Sequence, residues 1–337
     1  MLDQPRTSTH YVITGAKTYR LSSRKILKQW GGNLQNIEKS NRKRFQPDHG
    51  KLFVQVDQSG AEALIVSHCM PKTNKLRQLF DNGIKIHNYL GVVFTEHWRA
   101  RFPMVEDFIK IPIAEIRNHP KWSEFVKAVA DSDENPPATR YYYHYKQSGH
   151  SFNYGCQPNA FIGNILLKSK GKVQLSLSQG MRYYEGYHAL LPEIQNNYHR
   201  WVARTYEKDG ILRNLQGFPI HITSRVFEHN YKEIYDKIPQ STVGTITNIA
   251  FTQTQRLIEE ERLEGWDIIQ NNHDSYLGQF PEGEVETAAK VMCDLMEQEM
   301  VSPFGEKFRM KASIQIGGNW CPFHPKKNPN GLVEVKL

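Results

Sequence analysis

Two aspartates stand out for where they fall. Asp57 closes residues 51–57, where Leu52, Val54 and Val56 alternate with Phe53 and Gln55 as on a strand. Asp274 sits in a turn between two strand-like runs, residues 266–270 and 276–280. Brought together, two carboxylates suit hard divalent cations, which take oxygen ligands. A pair of such ions can stabilise the attacking and leaving oxygens of an in-line phosphoryl displacement. Asp is also common in turns, and spacing alone favours that plainer reading. A second constellation is Lys146, His150 and Tyr154, at i, i+4 and i+8. On a helix they share one face over about 12 Å, comparable with an extended nucleotide. A cation, a flat ring and an aromatic fit triphosphate, sugar and base in that order. Lys can hold phosphate oxygens and donate a proton toward a leaving pyrophosphate. An aromatic helix packed into a core with Lys on its rim has the same spacing, and by itself is the stronger reading.

The elements that must position these groups follow from periodicity and punctuation. After the strand at 51–57, Ser59 is an N-cap candidate for a helix over Ala61–His68. Residues 72–130 read as short helices broken at Pro103, Pro112 and Pro120, and 131–137 as a loop. A long aromatic helix is predicted at about 138–155, with more helix across 178–208. Residues 211–214 and 220–223 read as a hairpin turning at Gln216-Gly217. A long helix at 240–264, the hairpin around His273-Asp274-Ser275, a helix at 284–300 and a strand at 308–316 complete the pattern. Strands near both ends with helices between them predict an α/β (α+β) sheet lobe holding a helical insertion.

Composition narrows the classes. The chain has 337 residues, with 43 Lys+Arg against 35 Asp+Glu, a net charge of +8 that favours polyanionic partners. Cys69, Cys156, Cys293 and Cys321 show no close spacing, which argues against a disulfide framework or a zinc site. No run reaches the roughly eighteen apolar residues a membrane span needs, and residues 1–20 lack a secretory apolar core. A cytoplasmic protein without a membrane partner is expected.

The local wording shifts the balance. VQVDQSGAEALIVSH (54–68) resembles motif A of the family A, DNA polymerase I-like, DNA polymerases; NNHDSYL (271–277) resembles motif C, and KQSGHSFNYG (146–155) motif B. YRLSS (19–23), GNLQNI (32–37), IPQST (238–242) and IQIGGNW (314–320) resemble further elements of that family, in its order. The resemblance implies a palm with an antiparallel or mixed sheet over residues 1–70 and 207–337, and largely helical fingers over 71–206. The motif B helix would lie in the fingers, with an insertion near 98–137. It further implies template-directed DNA synthesis from dNTPs on primer–template DNA, in a phage-like enzyme of the bacterial host cytoplasm.

Residue by residue, the resemblance implies that Asp57 and Asp274 hold two Mg2+ ions, with Mn2+ as a substitute, and that the Gln58 carbonyl is a further ligand. His273 would brace that loop. Lys146 would act on the triphosphate, with His87 near the β-phosphate, and His150 and Tyr154 along the nucleotide. Arg20 and Gln240 would meet minor-groove acceptors of the primer-terminal pair; Gln35 and Asn36 would touch the primer or template backbone. Glu62 matches the family's steric gate against a ribose 2′-hydroxyl, although Ser59-x-x-Glu62 is also a capping box. The chain departs from the family at Tyr142, where an Arg is usual and Arg140 or His144 could substitute. Further departures are Gly149 for Asn, His150 for Phe or Tyr, and Ser275 for Glu. Only nineteen residues precede Arg20, so a thumb and an exonuclease are expected on a second polypeptide. Two alternatives stay open: a phage-type single-subunit RNA polymerase, and an inactive DNA-binding remnant.

Overall fold

The structure is a computed structural model that describes residues 6–12, 16, 18–25, 31–58, 60–132, 141–222 and 226–337. Ser59, Arg140 and the expected loop from residue 133 onward lie outside the described residues. The chain divides into two compact units. Unit 1 comprises Met1–Glu62, Ile211–Thr223 and Lys237–Leu337; unit 2 comprises Ala63–Gly210 and Ser224–Asp236. The divisions between the units lie at 62/63 and 210/211, and a short later segment joins the helical unit.

Unit 2 is helical. Helix α1 (Ala61–His68) leads the chain into it, followed by α2 (Lys75–Asp81), α3 (Ile86–Val93), α4 (Val105–Phe108) and α5 (Trp122–Asp131). Then come α6 (Tyr141–Phe152), α7 (Pro158–Lys168), α8 (Leu177–Leu190) and α9 (Arg200–Asp209). Capping chemistry sets several ends. The Asn74 side chain accepts from the Arg77 amide to start α2, Ser176 and Gln179 form a capping box on α8, and Gly210 stops α9 with φ 65°. Helix α6 packs against α3, α5, α7 and α8, burying Tyr145 and Phe152 among Phe161, Tyr183 and Tyr187. The expected insertion forms its own aromatic cluster of Trp98, Phe102, Phe108, Trp122 and Phe125.

The helix predicted at 138–155 is shorter than expected. It ends at Phe152, because Gly155 adopts φ 72° and turns the chain, with the Tyr235 ring 3.1 Å from where a Cβ would stand.

Unit 1 holds all the strands seen among the described residues: β1 (His10–Val12), β2 (Ser22–Arg24), β3 (Lys51–Gln58), β4 (Leu212–Arg213), β5 (Pro219–Ile220) and β6 (Asp267–Asn271). The rest are β7 (Ser275–Pro281), β8 (Glu299–Val301), β9 (Lys307–Arg309), β10 (Ala312–Gly317) and β11 (Val333–Val335). Five form one sheet, ordered β11-β10-β3-β7-β6 and antiparallel at every pairing. The strand expected at 308–316 is in fact β9 and β10. Helices α10 (Lys237–Glu260) and α11 (Val285–Met296) pack on the sheet.

Strand β3 is central, and side chains on both its faces are buried. Val54 and Val56 are fully buried, and Gln58, of the same parity, reaches Thr247 of α10 and Met296 of α11. Phe53 and Gln55 face the other way, where Phe53 packs with Leu277, Trp320 and Leu332, and the Trp320 indole donates to Gln55 at 2.8 Å. Asp57 has the parity of Phe53 and Gln55.

Candidate active site

The hairpin from β6 to β7 brings the two aspartates together. Asp57 lies opposite Ser275 in the β3–β7 register, and the Gln58 amide donates to the Asp274 carbonyl at 3.0 Å. Adjacent strands stand about 4.8 Å apart, so residues 217 positions apart in sequence are neighbours at one end of the paired strands. Asp274 is exposed, Asp57 half-buried, and Ser275 buried. The Gln58 side chain turns inward, which leaves its main-chain carbonyl as the group available to an ion. Among the described residues no cluster of three or more His, Cys, Asp and Glu is arranged to hold a metal. The two carboxylates and that carbonyl are all oxygen donors, the type of group a hard divalent cation would take.

The turn carrying Asp274 is held from several sides. His273 adopts φ 73°, uncommon for a residue with a side chain, and its amide donates to Asn271 Oδ1 at 3.1 Å. The Asn271 carbonyl accepts from Gln35 Nε2 at 2.9 Å and from the Tyr11 hydroxyl at 3.2 Å, while its amide donates to that hydroxyl at 2.8 Å. Burial raises the Tyr11 hydroxyl to about 12, so it stays protonated. Asn248 of α10 links two elements: its Nδ2 donates to the Tyr19 carbonyl at 2.7 Å, and its Oδ1 accepts from Asn271 at 3.1 Å. Burial, then the charge of Arg20, lowers the pKa of His273.

Arg20 and Glu62 form an ion pair, each about a fifth exposed (22% and 19%). Gly244 lies against the segment Thr18–Arg20, and Gln240 is one helical turn away on α10. Arg20, Glu62, Gln240 and His273 are thus gathered in unit 1. Gln35 bridges inside the protein, because its Oε1 accepts from the Ser23 amide at 2.9 Å while its Nε2 holds the hairpin. Asn36 is exposed on the short turn Leu34–Asn36.

Unit 2 presents the second set. Lys146 and His150 are exposed on α6, opposite the buried face of His144, Tyr145, Ser148 and Phe152. Tyr154 lies just past the helix end, its ring edge-on to His150 with centroids 5.8 Å apart. His87 of α3 lies within electrostatic reach of Lys146; burial, then Lys85 and Lys146, lower its pKa to about 3. Its ring meets Tyr142 edge-on at 4.7 Å. His144 does not replace the family's Arg at Tyr142. It is 2% exposed, its Nδ1 lies 3.1 Å from the Tyr183 hydroxyl, and burial lowers its pKa to about 4, so it is uncharged.

Sequence reasoning passed over Asn248, Tyr11 and Arg42. Arg42 lies within electrostatic reach of Asp274 and stacks on Trp320, its guanidinium carbon 4.3 Å from the ring centroid. Its only signal in the sequence is the basic run NRKRF (41–45).

An antiparallel sheet with two aspartates at one end of neighbouring strands, and a helical unit bearing a lysine-aromatic face, are the parts of a polymerase palm and fingers. Among solved structures the chain is similar to the POL domain of Pol1 from M. smegmatis, in complex with DNA primer-template and dNTP. The TM-score is 0.60 at 19% identity, over 93% of this chain and 47% of that one. The fold is that of a DNA polymerase domain, and the chain spans about half of that neighbour's length. No family model and no curated protein matches the sequence.

Proposed function

We propose that the chain is a template-directed DNA polymerase that transfers nucleotidyl groups from dNTPs to a primer 3′ end. The observation that carries this reading is the pairing of β3 with β7, which sets Asp57 beside Asp274 within a polymerase-type fold. The neighbour's primer-template DNA and dNTP are the ligands proposed for this chain.

Asp57, Asp274 and the Gln58 carbonyl would hold two Mg2+ ions, or Mn2+ in their place. When bound, the ions would supply charge neutralisation at the reacting phosphoryl oxygens and ease ionisation of the primer 3′-hydroxyl. In the transfer, the 3′ oxygen forms a bond to the α-phosphorus as the bond to pyrophosphate breaks. Lys146 would grip the triphosphate and give the departing pyrophosphate a proton. His87, neutral by burial, would offer a hydrogen bond rather than charge. His150 and Tyr154 would lie along the sugar and base.

Glu62, held by Arg20, would fill the space of a 2′-hydroxyl. Arg20 and Gln240 would meet the groove acceptors common to every base pair. Asn36 would touch the backbone, and Gln35 would act through the hairpin it supports. A phage-like enzyme working in the host cytoplasm belongs to the proposal. No described helix is long and apolar enough to cross a membrane.

Primer–template extension with magnesium tests the reading, comparing dNTPs with rNTPs for the wild type and for Asp57→Asn and Asp274→Asn. Incorporation of dNTPs that both substitutions cut by orders of magnitude is expected. Activity left unchanged by them would defeat the metal assignment. A preference for rNTPs would point to the RNA polymerase reading, and duplex binding without extension to an inactive remnant.

A further inference from the structure

Two basic segments that this chemistry does not use meet in unit 1. The 3-10 turn Lys39–Arg44 ends in Arg42, Lys43 and Arg44, and the loop between β10 and β11 carries Lys326 and Lys327. Lys43 Nζ donates to the Lys327 carbonyl at 2.8 Å, across 284 residues of sequence. Lys43, Arg44, Lys326 and Lys327 are exposed. The loop has a defined shape. His324 Nδ1 accepts from the amides of Lys326 and Lys327 at 3.2 and 3.0 Å, and buried Asn328 donates to Asn319 and to the carbonyls of Cys321 and Pro322.

Arg42 connects this surface to the aspartate pair. Its Nε donates to the Ile37 carbonyl at 3.3 Å, and its guanidinium carbon sits over the Trp320 ring, 4.3 Å from the centroid. Trp320 is 2% exposed and anchored through Gln55, which shares the β3 face of Asp57. A guanidinium held over an aromatic ring keeps its terminal N–H groups for phosphate oxygens. The field of Asp274 reaches Arg42. A fixed cation there would oppose binding of divalent ions unless an anion came with them. A nucleic-acid strand whose last phosphates approach the aspartates satisfies both.

We propose that Arg42, Lys43, Arg44, Lys326 and Lys327 form a track for the phosphodiester backbone of duplex DNA, with Arg42 its innermost contact beside Asp57 and Asp274. The track rests on the polymerase reading of those two aspartates. Fluorescence anisotropy of a labelled primer–template duplex across a salt series tests it, on the wild-type chain, the Lys326→Ala/Lys327→Ala pair, Lys326→Glu and Arg42→Ala. Each lysine that meets a phosphate should account for about 0.9 in the slope of log affinity against log salt, so the pair should flatten it by up to about 1.8. Lys326→Glu should weaken binding further at low salt, and Arg42→Ala should lower affinity and flatten the slope by about 0.9. Thermal melts identify variants that fold normally. An unchanged slope in the lysine variants, which alter only exposed side chains, overturns the track. A wild-type chain that binds duplex with the expected slope yet extends no primer overturns the polymerase reading instead.

Discussion

Asp57 reaches its place through strand alternation and one pairing, and Asp274 through a turn held by Gln35, Tyr11 and Asn248. Removing charge at either aspartate, with shape kept, should cost several kcal/mol of transition-state stabilisation. Single-turnover extension by Asp57→Asn or Asp274→Asn should therefore fall about 10³-fold. Glu62→Ala should leave dNTP incorporation measurable while raising the use of rNTPs. An unchanged dNTP-to-rNTP ratio would assign Glu62 to its ion pair with Arg20 alone. The aspartates were legible because each sits in a distinctive local string. Arg42 was not, since its significance comes from Trp320, 278 positions away. Gln35 showed the opposite limit. Its string was recognisable, but only coordinates show its amide bridging Ser23 and Asn271.

At the scale of elements, two glycines in helices should respond with opposite signs. Gly149 is buried in α6, yet a Cβ there would meet only Ile86 at 3.7 Å, an ordinary contact. Gly149→Ala should thus gain helix propensity of about 1 kcal/mol and raise the melting midpoint by about 2 °C. Gly244 in α10 has the Thr18 carbonyl and Arg20 Cγ each 3.1 Å from where a Cβ would sit. Gly244→Ala should cost about 1 kcal/mol or more through overpacking, and should weaken duplex binding by pushing Arg20 away. Melting curves of the two variants, shifted in opposite directions, would check both. The helices themselves were readable from spacing and prolines. The end of α6 was not, because a packed Tyr235 and a left-handed Gly155 outweigh an aromatic run that would allow three more residues of helix.

For the whole molecule, the units differ in how they should meet acid. Burial lowers the pKa of His87 to about 3, and those of His97, His144, His188 and His199 to about 4, all in unit 2. In the unfolded chain these groups titrate near 6.5. Between about pH 6.5 and 4 the unfolded state therefore binds protons that the native unit excludes, and stability falls as pH drops through that window. Above it these groups add no pH dependence. The thermal midpoint of unit 2 should decline steadily below about pH 6.5, measured by calorimetry, and a flat profile to about pH 4.5 would contradict the burial of these rings.

The β-α-β plan was legible from strands placed near both ends of the sequence, whereas the division at residue 62 was not. It falls within helix α1, where no break in local pattern marks it. One consequence follows from the position of β3. Strands flank it on both sides, and the Gln58 amide is bonded to the Asp274 carbonyl. Deuterium should enter that amide only when unit 1 opens as a whole, long after the outer strands β6 and β11 have exchanged. The acid pair would then be part of the slowest-opening structure in its unit, present whenever the unit is folded and lost only with it.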